Sequence, residues 1–399
     1  MKWLGLDWDG DLTYQSQRKD VYNKYVDKLL ETGHAYYCDC SVEEVEAMRE
    51  VARAKGEKPR YNGKCRERGL GYAEGRVVRL KVPAEGRVVF DDMVKGPIAV
   101  DVNELDDMVL RRADGMPTYN MAVVIDDYEM GVTHVVRGDD HVSNTPKQIL
   151  IYQALGLTVP TFGHVPMILG PDKQKLSKRH GARAVVEYQQ DGLLPEALVN
   201  YLVRLGWSHG DQEIFSLQEL VKLFDGKNLN SSAAAFDPDK LQWLNGYYLK
   251  HTPLGKAVEL TRPFIEKSGL SLDGKNAEAA ISLYIERASN LNDLAEQVKP
   301  YLQNIENVVF EEKALNALDG QGKEQIKNVL ALVRDTEFTA ENLEHVIHDY
   351  VETSGVKFKL VGTPLRSALI GLAGGPSIHL IMFALGKAET IKRLERALA

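Results

Sequence analysis

Almost every stretch of this chain that reads as a β-strand lies before about Pro195, and the remainder of the chain reads as helix. A chain so divided has to fold as an α/β part joined to an all-helical part. In the first part Ser41 is followed three residues later by Glu44, a capping box, and Val45, Met48 and Ala52 recur at helical spacing until Gly56 and Pro59. A helix is expected over roughly 42 to 55. Val78, Leu80 and Val82 alternate with Arg79 and Lys81, and Ala84 to Arg87 reads as a turn into Val88-Val-Phe90, which together predict a hairpin. Tyr119-Asn-Met-Ala-Val-Val-Ile125 and Thr133-His-Val-Val-Arg137 read as buried strands, with a helical pattern at about 145 to 155. After Pro195, segments such as Leu194 to Val203, Ala277 to Ile285 and Thr390 to Leu398 have helical periodicity with charged faces. Pro253 and Gly255 interrupt two such patterns and mark a linker near 250 to 256. At 399 residues, two to four domains are expected.

The balance of 44% hydrophobic and 27% charged residues is that of a globular protein and argues against disorder. The longest apolar runs fall well short of the roughly 20 residues that a membrane span needs. The start, Met1-Lys-Trp-Leu-Gly-Leu-Asp-Trp-Asp9, lacks the basic and apolar stretches of a signal peptide, so a cytoplasmic location is expected. With a net charge of −8, any nucleic-acid partner has to be held by local cationic patches. Residues 49 to 68 carry eight Lys and Arg against three Glu, an excess of +5, and residues 172 to 183 carry five against one Asp, an excess of +4.

The second patch is a loop. His164-Val-Pro-Met-Ile-Leu169 reads as a strand, and Gly170-Pro-Asp-Lys-Gln-Lys-Leu-Ser-Lys-Arg-His-Gly181 comes directly after it. Glycines at both ends supply hinge freedom, and lysines at 175 and 178 can meet charge developing on a leaving pyrophosphate, where one well-aimed donor is worth about 10²- to 10³-fold in rate. Lys175-Leu-Ser-Lys-Arg179 resembles the signature loop of class I aminoacyl-tRNA synthetases in its bacterial glutamyl form. The flanks His164 to Gly170 and His180-Gly-Ala182 are similar to that family too. So are Tyr14-Gln-Ser-Gln-Arg18, Gly63-Lys-Cys-Arg66, Pro117-Thr-Tyr-Asn120, Gly131 to Gly138 and Gly206-Trp-Ser-His-Gly-Asp211.

The resemblance implies ATP-dependent activation of glutamate to glutamyl-adenylate and transfer to the 3′ end of tRNA(Glu), with Mg²⁺ accompanying the ATP and the enzyme acting as a monomer. Orientation and electrostatics dominate such chemistry. Carried over residue by residue, Lys178 contacts ATP, with Lys175, Ser177 and Arg179 completing the catalytic loop. Asp140 and His141 line the ATP side, and Met167, Ile168 and Leu169 offer backbone groups to the adenine. Tyr119 lies in the glutamate pocket, and Arg137 holds a substrate carboxylate, a role that suits its planar fork.

The three cysteines Cys38, Cys40 and Cys65 fall within 28 residues, a clustering that suggests Zn²⁺ rather than disulfides in an odd-numbered set. Tyr61, Glu67 and His34 are candidates for a fourth ligand. The resemblance favours a tyrosine or the residue two past the last cysteine, hence Tyr61 or Glu67.

The fold implied is a Rossmann-like α/β nucleotide-binding domain, incomplete at its N-terminus, with an inserted α+β subdomain, and then all-α domains. Residues 1–36 are expected to be a remnant of the first catalytic half, 37–118 the acceptor-end insertion with its zinc knob, and 119–186 the second catalytic half. Residues 187–254 are expected to be a stem-contact domain and 255–399 an anticodon-binding domain, with Arg366, Lys387, Lys392, Arg393 and Arg396 as candidate RNA contacts. Class I synthetases carry a His-x-Gly-His motif after the first strand, and no such string occurs in this sequence. The expectation is therefore of a chain that begins inside the catalytic domain and is inactive alone in adenylation. The alternative is a non-catalytic tRNA-binding relative. The related enzymes that glutamylate a tRNA base lack a helical C-terminal domain, and glutaminyl enzymes end in β-barrels.

Overall fold

The computed structural model describes residues 1–177, 183–273 and 276–399. Two compact units emerge from it. One holds the described residues from 6 to 177 together with Leu202–Phe236, and the other holds residues 1–5, 183–201 and Asp237–Ala399. Residues 187–254, expected as a single helical segment, are thus shared between the two.

The first unit contains two small sheets. Strands β1 (Ala35–Cys38), β2 (Val77–Leu80) and β5 (Val109–Arg111) form an antiparallel sheet in the order β1-β2-β5. Strands β3 (Arg87–Asp92), β4 (Gly96–Asp101), β6 (His134–Gly138) and β7 (Thr161–Val165) form the other, in the order β4-β3-β7-β6. β3 and β4 are an antiparallel hairpin, whereas β6 and β7 run parallel and are joined by a crossover helix. The helices of this unit that concern the site are α1 (Lys19–Glu31), α2 (Val42–Ala54), α3 (Tyr119–Glu129) and the crossover helix α4 (Thr145–Leu155). Tyr22, Val26 and Leu29 of α1, Met121, Val124 and Ile125 of α3, and Ile149, Ile151 and Tyr152 of α4 share one core with Val78, Leu80, Val88 and Phe162 of the strands. Each such aliphatic or aromatic side chain contributes about 1.5–3 kcal/mol by leaving water.

The helix expected over 42 to 55 is α2, with Ser41 and Glu44 forming the reciprocal cap, and the pattern at 145 to 155 is α4. Three other readings are corrected. Tyr119 to Ile125 is not a strand but the first two turns of α3; a short, mostly apolar run is too brief for its periodicity to separate the two states. Val78 to Val82 and Val88 to Phe90 are not a hairpin, because β2 and β3 lie in different sheets and β3 turns back through β4 instead. The strand read over His164 to Leu169 ends at Val165, where Pro166 has no N–H for a ladder. Strand β6 does form, as an edge among the described residues, and Val136 is 51% exposed rather than buried.

In the second unit every regular element is helical among the described residues, from the short Lys2–Leu4 and Val185–Gln190 through Lys387–Leu398, and Pro195–Gly206 runs from this unit into the first. Pro238–Lys250 ends at His251 and Leu254–Glu266 begins after Pro253, so the interruption expected near 250 to 256 is present. Leu249, Val258, Ile281, Leu294, Val329, Leu365 and Ile381 belong to one continuous core there.

Candidate active site

The polar centre of the first unit is built on Arg137, near the end of β6. Its Nε donates to His164 Nε2 at 3.2 Å, and its Nη2 donates to Thr145 Oγ1 and Gln148 Oε1, both at 2.8 Å. Gln148 in turn donates to Asn120 Oδ1 at 3.1 Å. On the other side, His164 Nδ1 donates to Asp92 Oδ2, and the second Asp92 oxygen accepts the backbone amides of Val94, Lys95 and His164. β3, β6, β7, α3 and α4 therefore each supply one or two members of a single network. Burial by itself would raise the Asp92 carboxyl, but the His164 ring and the three amides outweigh it and hold it below the usual carboxylate range. Burial pushes the Arg137 guanidinium down. Among the described residues no carboxylate oxygen lies within 4 Å of it, so Arg137 forms no salt bridge with Asp126, Asp127, Asp139 or Asp140, although Asp127 acts on it electrostatically. Asp126 is occupied elsewhere, accepting from Gln15 at 2.8 Å, Arg18 at 2.8 Å and Tyr22 at 2.9 Å.

Tyr119 opens α3 and is half exposed, with its hydroxyl 3.3 Å from His141 Nδ1 and its ring electrostatically coupled to Arg137. Asp140 receives Lys175 Nζ at 3.0 Å, and this ammonium holds the carboxyl below its ordinary value. Lys175 is held by a small loop: Leu169 bridges to Lys175 and Ala235, Leu176 N donates to Ile168 O at 2.8 Å, and Gly170 N donates to Gln174 O at 2.8 Å. Gly138 makes this crowding possible, since a Cβ there would stand 2.8 Å from Asp140 Oδ1 and 3.1 Å from Met167 Sδ. Asp140, Met167, Ile168, Leu169 and Lys175 are thus gathered beyond the end of β6, and Tyr119, Arg137 and His141 are gathered beside it. Ser177 is among the described residues, and Lys178 and Arg179 lie outside them. Sequence reasoning missed Asp92, Thr145 and Gln148 and gave His164 no role beyond a family flank. The only signal for them was polar residues inside otherwise apolar runs, such as Gln148 in α4.

The cysteines converge as expected. The sulfurs of Cys38, Cys40 and Cys65 lie within 4.8 Å of one another, with Cys40 and Cys65 at 3.5 Å. Two thiolates on a tetrahedral zinc are separated by about 3.8 Å, given a Zn–S bond of about 2.3 Å. Tyr61 Oη stands 3.6 Å from Cys38 Sγ and accepts the Cys65 amide at 2.7 Å. Glu67 points instead to Lys81 at 2.9 Å and is exposed, and His34 is exposed and bonded to Thr32. Of the candidate fourth ligands only Tyr61 fits. Burial acts against the Cys38 thiolate, but Arg79, the Cys40 amide and Tyr61 pull that thiol below its ordinary value, while burial and Cys65 push Cys40 up to about 12. A donor set able to hold one charge readily and further charge only with a cation present suits a metal.

Residues 1–243 match the family of class I tRNA synthetases (E and Q), catalytic domain, and residues 256–398 match an anticodon binding domain. The class is thereby defined: a class I aminoacyl-tRNA synthetase of the glutamate and glutamine type. Over 401 residues the chain is 60% identical to a glutamate–tRNA ligase of Nitratidesulfovibrio vulgaris strain Hildenborough, covering 100% of this chain and 87% of that protein. It is 58% identical over 402 residues to a glutamate–tRNA ligase of Oleidesulfovibrio alaskensis, with the same coverage. A crystal structure of a glutamate tRNA ligase from Elizabethkingia meningosepticum, in complex with its amino acid, matches with a TM-score of 0.85 at 30% identity, over 100% of this chain and 87% of that one. The chain belongs to the glutamate–tRNA ligase family.

Proposed function

We propose that this protein is a glutamate–tRNA ligase, which activates glutamate with ATP and transfers it to the 3′ end of tRNA(Glu) in protein synthesis. What carries the reading is a half-buried arginine with no carboxylate oxygen within 4 Å among the described residues, beside an exposed tyrosine, in a chain 60% identical throughout to such an enzyme. In this reading Arg137 and Tyr119 bind glutamate. Asp140 and the backbone of Met167, Ile168 and Leu169 lie on the ATP side, and Lys175, Ser177, Lys178 and Arg179 form the loop that neutralises the triphosphate, with Mg²⁺ brought in by ATP. Fixed cations aimed at developing charge cost no reorganisation during reaction.

Residues 37–118 serve as the acceptor-end subdomain, 119–186 as the second catalytic half, and 255–399 as the anticodon-binding domain. Cys38, Cys40, Cys65 and Tyr61 would hold a structural Zn²⁺, which fixes the turn between 61 and 68 against β1. No described helix is long and apolar enough to cross a membrane, and a role in translation puts the protein in the cytoplasm, acting as a monomer.

The test is glutamate-dependent ATP–pyrophosphate exchange together with titrations of tRNA and of a non-hydrolysable glutamyl-adenylate analogue. These 399 residues contain no His-x-Gly-His string, so exchange is expected to be slow while tRNA and the analogue both bind. Binding of tRNA without the analogue or ATP would favour a non-catalytic tRNA-binding protein, and binding of neither would overturn both readings.

A further inference from the structure

We propose that Asp92 and His164 are positioning residues that fix the Arg137 guanidinium so that a single nitrogen, Nη1, faces the side-chain carboxylate of the amino acid. This deepens the reading of the chain as a glutamate–tRNA ligase and rests on it. Arginine has five N–H donors. Here Nε–H is spent on His164, and Nη2 is spent on both Thr145 and Gln148. The forked contact expected from the sequence is therefore not available, because every two-nitrogen edge of the guanidinium includes a nitrogen already engaged. Nη1 remains, and Tyr119 interacts with the same guanidinium, both electrostatically and through its hydroxyl.

A contact through one nitrogen has no second bond to correct its aim. Its geometry is inherited from whatever holds the rest of the guanidinium, and that holder is His164. The ring is fully buried, its Nδ1–H is spent on Asp92, and its Nε2 faces the Nε–H of Arg137 and the Thr145 hydroxyl at 3.0 Å. Nε2 must therefore be an acceptor, and the Asp92 carboxylate is the group that puts the proton on the opposite nitrogen. Asp92 is itself 4% exposed and anchored by three backbone amides at the end of β3. Phe162 completes the cradle, stacked on the His164 ring at 6.3 Å and lying 5.5 Å below the guanidinium. A buried acid, a buried ring and a cation in line are more than packing requires, since an apolar triple would fill the same space without the desolvation cost. The carboxylate served is the side-chain one, because activation consumes the other and only a group present before and after it can use a permanently fixed cation.

The test measures calorimetric affinity of the 399-residue chain for two unreactive probes, glutamyl sulfamoyl adenosine and its norvalyl counterpart, in which a methyl replaces the side-chain carboxylate. His164→Asn keeps a partner for Asp92 and loses the acceptor for Arg137, whereas His164→Gln keeps an amide at the position of Nε2. His164→Asn and Asp92→Asn are expected to weaken the glutamyl probe roughly tenfold and the norvalyl probe less than about twofold. His164→Gln should stay within about threefold of the wild type on both. Equal loss on the two probes, or no loss on either, would overturn the proposal. Should the substitutions unfold the chain, nitrogen NMR of the wild type decides instead, because a His164 ring protonated at Nε2 is incompatible with it. A wild-type chain that fails to bind the glutamyl probe at all would refute the ligase reading itself, and that result is read before any variant is made.

Discussion

Arg393 was an expected RNA contact, and the structure removes it from that role. The side chain is 1% exposed, and its guanidinium donates to the carbonyls of Pro300, Leu369 and Gln303 at 2.7, 2.6 and 2.8 Å and to Glu389 at 2.7 Å. It ties the ends of Leu291–Leu302 and Phe358–Ile370 to the last helix, and burial pushes its pKa down. Arg393→Met should cost roughly 3 kcal/mol or more, since three carbonyls and a carboxylate lose their donor in a dry interior. Lys392→Met, one residue earlier and exposed, should cost less than about 0.5 kcal/mol. Denaturant melts of the two variants check this, and equal midpoints would contradict the buried role. Asp92 and Asp127 provide a second contrast, in the pH dependence of stability. The Asp92 carboxyl is depressed in the fold, so its contribution is present above the ordinary carboxylate range and is lost as pH falls through its lower folded value. The Asp127 carboxyl is raised by burial, so its ionisation on going up in pH costs stability. Asp92→Asn should therefore flatten the acid limb of Tm against pH, and Asp127→Asn should raise Tm at neutral pH relative to acid.

Elements that announce themselves by local chemistry were legible in the sequence. Ser41 and Glu44 fix the start of α2 through bonds made within four residues, and Pro253 separates two helices by its own geometry. What stayed hidden was set by partners far along the chain. Met121 to Ile125 packs as a helix because α1 and α4 enclose it, and β2 and β3 part company because β3 finds β4 and β7. In the site, Tyr119, Arg137 and Asp140 were readable only through resemblance to a family, whereas Lys175 also stood out in a cationic loop flanked by glycines. The Asp92–His164 support spans 72 residues of chain and left no local trace. The cysteine turn was legible as a cluster, but its fourth position was not, because Tyr61 and Glu67 both lie close to Cys65 in sequence while only Tyr61 turns toward the sulfurs and Glu67 turns to Lys81. Protein purified without chelator should carry zinc. Cys65→Ser should lose it, Tyr61→Phe should weaken it, and Glu67→Ala should retain it. A Glu67→Ala variant without metal would reverse the assignment.

For the molecule as a whole, a charge of −8 obliges RNA to approach through local cations, and the structure changes which of them are free. Of the eight cations between 49 and 68, Arg49 and Arg53 pair with Glu46, Lys58 with Glu104, Lys64 with Glu44, Arg66 with Asp107, and Arg68 with Asp39. Arg60 spends Nη1 on the carbonyls of Asn103 and Leu105. Among the described residues no acid lies within 4 Å of Lys55, which is exposed. The excess of +5 counted along the sequence is therefore mostly cancelled in space by acids that arrive from outside that stretch. Exposed pairs of this kind are worth only about 0–1 kcal/mol and can open. Even so, a lysine that swaps its carboxylate for a phosphate leaves that carboxylate beside the RNA backbone, and the net gain is small. Counterion release should then track Lys55 rather than the patch as counted. In titrations of tRNA across a salt series, Lys55→Ala should lower the slope of log K against log salt by about 0.9, the value of one phosphate contact on a duplex. Lys64→Ala should change it far less, because Glu44 already offsets that charge. Equal slopes for the two variants would mean that the acceptor end does not cross this face.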